Sequence, residues 1–169
     1  MKKLWLSFAA LLVVSFSVLG WIGTRIYQEM PPIPDQVVTT DGTIVIPAGE
    51  IARGQNVWQS LGGMQVGSIW GHGSYIAPDW TADWLRRELM FVLQEWAGNR
   101  YDQLPFEEQT KLQGRLQQLY RTNTYDAATN TLKIDPVRAR ALLNTAAHYA
   151  ETFQKGNVKY AIPPGAVSS

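Results

Sequence analysis

The chain of 169 residues has the composition of an ordinary globular protein, with 46% hydrophobic and 17% charged residues and a formal net charge of +1. That balance gives no electrostatic basis for binding nucleic acid or an acidic substrate. With no cysteine, the chain can form no disulfide, thiolate metal site or thioether link to haem, and His72 and His148 are too few for a self-contained histidine-ligated catalytic metal centre.

Leu4 to Gly23 is an uncharged run of 20 residues. As a helix it would span about 30 Å, the thickness of a bilayer's hydrocarbon core. Trp5 and Trp21 lie near its ends, where indoles favour the membrane interface. A cleaved signal peptide is the alternative, but its apolar region is usually about 7–15 residues, and Gly20-Trp21-Ile22-Gly23-Thr24-Arg25 is a poor cleavage sequence. Length therefore favours a retained anchor that partners membrane lipid. Lys2 and Lys3 precede the run, whereas Arg25 is soon followed by Glu29 and Asp35. The positive-inside bias then puts the N-terminus in the cytoplasm and the rest on the outer, periplasmic side of a bacterial plasma membrane.

Met30-Pro31-Pro32-Ile33-Pro34 reads as a stiff, polyproline-like exit. Two β-branched runs from Val37 to Ile46 flank Asp41-Gly42, a strong hairpin signal, and Pro47 ends the second. A helix starting near Ala48 or Gly49 would bury Ile51, Gly54, Val57, Trp58 and Leu61, with Gly62-Gly63 as its stop. A second helix, capped by Asp79 or Thr81, has Leu85, Leu89, Val92 and Trp96 as its expected inner face. A third runs from Pro105 with Phe106, Leu112, Leu116 and Leu119 inward, and Thr122 to Ile134 reads as a polar loop or weak hairpin. Asp135-Pro136 opens a fourth helix carrying Val137, Ala141, Leu142, Thr145, Tyr149 and Phe153. The expected fold is mainly α: one transmembrane helix and an extracytoplasmic helical domain with a small β-hairpin. The divisions are residues 1–29 for the cytoplasmic tip and span, 30–47 for linker and hairpin, 48–158 for the domain, and 159–169 for a connector at which the chain looks cut.

Five of the seven tryptophans, Trp58, Trp70, Trp80, Trp84 and Trp96, cluster with Gly62, Gly63, Gly67, Gly71 and Gly73. Gly54, Val57 and Trp58 resemble the first helix of class I cytochromes c, yet Gly62, Gln65 and Val66 stand where that family places its two cysteines and axial histidine. The run Gly71-His72-Gly73-Ser74-Tyr75, then Ala77-Pro78-Asp79-Trp80-Thr81-Ala82-Asp83-Trp84-Leu85 and Arg87-Glu88, closely resembles the N-terminal extracytoplasmic domain of quinol-dependent nitric oxide reductases, single-chain relatives of haem–copper oxidases. The resemblance implies a haem-free cytochrome c-like domain capping a membrane bundle, in the same chain or a partner subunit. That bundle reduces two NO to N2O and holds haem b, haem b3 and a non-haem iron on later helices, so no catalytic or cofactor-binding residue is expected here. It also implies a calcium loop at Gly73 and Tyr75 in the intact enzyme.

Trp70, His72, Trp80 and Arg87 are the expected contacts with the bundle, against the plainer reading of His72 as a structural loop residue. Asp79 and Asp83, four residues apart, are better read as helix-capping charges than as an acid–base pair. The alternative function is a free-standing, membrane-anchored periplasmic interaction module with no redox role. An independent enzyme is the weakest reading, since no nucleophile–base pair is apparent.

Overall fold

The computed structural model describes residues 2–65, 67–69, 71–73 and 79–165. Two separate compact units result, Met1–Ile33 and Pro34–Ser169. The first is a single helix, α1 (Lys2–Glu29), with a mean hydropathy of 2.1 over its most apolar window and no buried residue. It is long and apolar enough to cross a membrane. Ser7 and Thr24 donate back to the carbonyls of Lys3 and Gly20 at 3.1 and 2.8 Å, which satisfies both hydroxyls inside the helix. The helix outruns the apolar stretch to Glu29, where Arg25 and Glu29 pair across one turn at 2.5 Å.

In the second unit the Asp-Gly signal holds. Strands β1 (Gln36–Thr39) and β2 (Ile44–Ile46) pair antiparallel about a turn in which Gly42 adopts φ 90°, a region costly for any residue with a Cβ. The expected hairpin is half of a larger sheet. After α2 (Glu50–Ser60), the short pair β3 (Ser68–Ile69) and β4 (His72–Gly73), α3 (Trp80–Trp96) and α4 (Phe106–Arg121), the chain forms β5 (Tyr125–Asp126) and β6 (Thr131–Ile134). Strand β6 joins β1 in parallel and gives the order β2-β1-β6-β5. Of the two readings of residues 122–134, the hairpin is the one that forms. Its long-range partner is invisible in the sequence, because parallel pairing across many residues leaves no local turn signal.

Helix α5 (Pro136–Lys155) begins as expected: Asp135 accepts from the Val137 N–H at 2.8 Å, with proline at the first helical position. It packs along α3, and α4 closes the other side around Val92, Leu93, Tyr101, Leu116, Val137 and Ala141. A second cluster ties the sheet to α5 through Val37, Ile134 and Ala139.

Three expected inner faces need correction. On α2 only Ile51 and Trp58 are partly covered, while Val57 is 46% and Leu61 58% exposed. Phe106 is 82% exposed, because Pro105 caps α4 ahead of its first packed turn. Leu85 is also exposed, whereas Val92 is buried and Leu89 and Trp96 pack against the core as expected; Trp80, Trp84 and Glu88 widen the inward face of α3. In the segment expected as a connector Ile162 is buried and Gly165 donates to the Gln154 carbonyl at 2.9 Å.

Candidate functional site

The signature run meets the rest of the fold at the first two turns of α3. Asp79 caps the helix by accepting from the Ala82 N–H at 2.9 Å, and its other oxygen accepts from the Ser68 hydroxyl at 2.8 Å and the Gly71 N–H at 2.7 Å. These donors, the Ala82 amide foremost, hold its carboxyl below the ordinary aspartate value. One carboxylate thus starts a helix and pins the glycine-rich β3–β4 turn to it.

Behind this cap lies an aromatic cluster. Trp80 meets Tyr149 and Tyr160 edge-on, at ring separations of 5.9 and 5.5 Å, and leans on Phe153 at 5.9 Å. Trp84 stacks flat on Tyr149, 5.4 Å away with 2° between the planes, and Trp58 meets Phe153 edge-on at 6.2 Å. Two glycines make room: a Cβ on Gly63 would fall within the Trp58 indole, and one on Gly67 within the Trp80 indole. With Ile69, the five rings Trp58, Trp80, Trp84, Tyr149 and Phe153 leave a cavity of about 230 Å³. The indole N–H groups of Trp58 and Trp80 are buried and have no partner among the described residues.

Two polar networks flank the cluster. Asp83 accepts from Arg87 Nε at 2.6 Å and from the Tyr149 hydroxyl at 2.7 Å. Burial opposes ionisation of Asp83, yet these two bonds outweigh it and keep the carboxyl below its usual value. The Tyr149 phenol is pushed well up, first by burial and then by Asp83. One helical turn on, the 4%-exposed Glu88 accepts from Trp84 Nε1 at 3.0 Å, the Tyr120 hydroxyl at 2.8 Å and Arg138 Nε at 3.2 Å. Arg138 also lies over the Tyr120 ring at 4.4 Å. Every bond to Glu88 links α3 to itself, α4 or α5, so the network sets how the three helices pack.

Residues 34–169 match the family described as the cytochrome c-like domain of nitric oxide reductase, NorB type. The chain belongs to this family. No curated protein matches it.

For a cytochrome c-like domain the first question is whether its residues suit covalently attached haem, and those of this reductase domain, which has no cysteine, do not. Gly62 sits in a left-handed turn at φ 67° and Gln65 in a short 3-10 turn, neither offering a thiol, and the chain contains none. Val66, where class I cytochromes c are expected to place the axial histidine, lies outside the described residues. The aromatic cluster fills its own interior except for a cavity too small for a porphyrin. Among the described residues, no group of three or more His, Asp and Glu could hold a metal ion.

The site residues expected from sequence fall in different places. Trp80 is 7% exposed and packs in the aromatic core, which corrects its assignment to a docking surface. Arg87 lies at the margin of the cluster, tied to Asp83. His72 and Gly73 form β4, pairing with Ile69 and Ser68. Trp70 and Tyr75 lie outside the described residues. Sequence reasoning misses Glu88 and Tyr149 as polar organisers. The signal for Glu88 is an acid on the stripe Trp84-Glu88-Val92, where a helix facing a core otherwise carries apolar residues.

Proposed function

We propose that this chain is the N-terminal anchor and haem-free cytochrome c-like domain of a quinol-dependent nitric oxide reductase. The helix α1 holds it in the bacterial plasma membrane with its N-terminus cytoplasmic. The folded unit then caps the outer face of the bundle that carries haem b, haem b3 and non-haem iron and reduces two NO to N2O. The self-filled aromatic core, in a chain without cysteine, carries this reading. A domain that holds no haem accepts no electrons from a soluble cytochrome, so reducing equivalents enter the bundle from quinol. Apolar residues left uncovered on α2 and the turn after it, Val57, Leu61 and Met64, supply a surface for the bundle. Within this reading Gly73 and Tyr75 belong to a calcium loop, presenting oxygen ligands that the bundle completes; metal analysis of the intact enzyme tests that part.

The main test is turnover by the enzyme purified from source membranes with an antibody to residues 34–169. NO consumption driven by quinol, with no covalent haem on the denatured polypeptide bearing this domain, is expected. Covalent haem there, or turnover supported only by a reduced soluble cytochrome, would sink the proposal. A polypeptide near 19.0 kDa that brings down no haem protein would instead favour the free-standing module.

A further inference from the structure

Along the seam between α3 and α5 lies an open groove of about 440 Å³, lined by Arg86, Arg87, Met90, Phe91, Gln94, Asn144, Thr145 and His148. Its size is that of a small-molecule site. No acidic side chain lines it. Arg87 is paired with Asp83, and Gln94 is occupied by the Tyr101 N–H and by Asp102. Arg86 has no ion pair or side-chain hydrogen bond among the described residues, which leaves one uncompensated cation at the groove. The floor is Thr145, only 2% exposed, whose hydroxyl has no hydrogen bond among the described residues. Other helical threonines of this domain, Thr110 and Thr152, donate to the carbonyl one turn back; Thr145 does not. Among the described residues the buried side-chain polar atoms without a partner are the Trp58 and Trp80 indole nitrogens, so the Thr145 hydroxyl keeps a little open surface and is free to bond a group lying in the groove. His148 adds a ring nitrogen, Nε2, which lies 3.4 Å from the Thr152 hydroxyl. Met90 and Phe91 supply apolar wall.

We propose that this groove binds an organic anion, a carboxylate or phosphate head on an apolar stem. The Arg86 guanidinium holds the head through its planar fork, Thr145 and His148 contribute hydrogen bonds, and the stem lies against Met90 and Phe91. Neither the head alone nor the stem alone uses both halves of the site. The site is independent of the reductase reading, since Arg86, Thr145 and His148, which hold the head, have no part in docking the bundle or excluding haem in that reading.

The test uses the full chain in non-ionic detergent, titrated with benzoate and phenyl phosphate as probes, with inorganic phosphate and benzyl alcohol as the isolated head and stem. Binding is read from the His148 ring signals in NMR spectra. Benzoate or phenyl phosphate should shift them saturably in the millimolar range or tighter, with the two isolated parts at least about tenfold weaker. The exposed substitution Arg86→Gln should weaken both probes about tenfold and leave the free-state spectrum otherwise unchanged. Thr145→Val, which keeps the volume, should weaken them by a smaller factor. Equal binding to the Arg86→Gln chain, inorganic phosphate binding as tightly as benzoate, or no saturable shift with either probe would each overturn the proposal.

Discussion

The Tyr149 hydroxyl donates to Asp83 Oδ2 at 2.7 Å, and so joins the first turn of α3 to the C-terminal half of α5 at the edge of the aromatic cluster. The same Tyr149 ring stacks on Trp84, the residue after Asp83. Tyr149→Phe separates the two roles, because the ring stays and only the hydroxyl goes. Asp83 keeps Arg87, so the expected loss is about 1 kcal/mol, at the low end for a bond to a charged acceptor that is partly solvated. Thermal unfolding of the full chain in detergent should show a fall of a few degrees. The Asp83 carboxyl should also move up toward its ordinary value, readable by NMR titration. An unchanged Asp83 titration would show that Arg87 alone sets it.

Glu88 poses a harder test of packing. Its carboxylate is the common acceptor for Trp84, Tyr120 and Arg138. Glu88→Gln keeps the shape but removes the charge that Arg138 faces in a largely buried setting. Breaking such a pair costs more than the pair contributes, and about 2–3 kcal/mol is expected, with Arg138 still partly exposed. The Tyr120 phenol, pushed up by burial first and then by the Glu88 charge, should ionise more easily in the variant. Alkaline titration followed by tyrosinate absorbance reads this directly. Loss of stability without any change in Tyr120 would count against the charge as the cause.

The glycines divide by what surrounds them. Gly54 sits mid-helix in α2 with open space where a Cβ would be, so Gly54→Ala should stabilise by about 0.5–1 kcal/mol. Gly63→Ala and Gly67→Ala place a methyl against the Trp58 and Trp80 indoles, and the rings must move; about 1–3 kcal/mol of destabilisation is expected. Denaturant unfolding with tryptophan emission as the probe measures both signs together. Equal, small effects at all three positions would contradict the close approach of backbone to indole.

These glycines also show where sequence alone is sufficient. The 3–4 spacing groups Gly54 with a buried face, but such spacing reports which residues share a side of a helix, not whether that side is covered. The same reasoning fails for Val57, Leu61, Leu85 and Phe106. It succeeds where a local signal fixes geometry: Asp41-Gly42 for the hairpin, Gly62-Gly63 for the end of α2, Asp135-Pro136 for the start of α5. The aromatic cluster is legible as a density of tryptophan beside glycine. Its membership is not, since Tyr149, Phe153 and Tyr160 come from the far end of the chain, and only folding brings them to Trp80. Trp80 misleads for that reason: the sequence sets it beside a glycine-rich run, while its neighbours in space form a core.

Asp79 carries the last prediction, a dependence on acid. Its carboxyl is held below the ordinary 3.8 by the Ala82, Ser68 and Gly71 donors, so the folded state binds a proton less readily than the unfolded chain. The stabilisation is complete above the unfolded value and is lost as pH falls from there through the depressed folded value. Unfolding midpoints should be flat with respect to this group from neutral pH down to about 4 and decline below it. Asp79→Asn retains an acceptor for Ala82 but has no carboxylate to titrate, so its midpoint should start lower and decline less steeply in the same window. If wild type and variant fall in parallel below that point, the acid sensitivity belongs to the other carboxyls held low, Asp41, Asp83, Asp126 and Glu151. Asp83→Asn then separates the first turn of α3 from the remaining three, of which Asp126 lies on β5 at the edge of the four-stranded sheet.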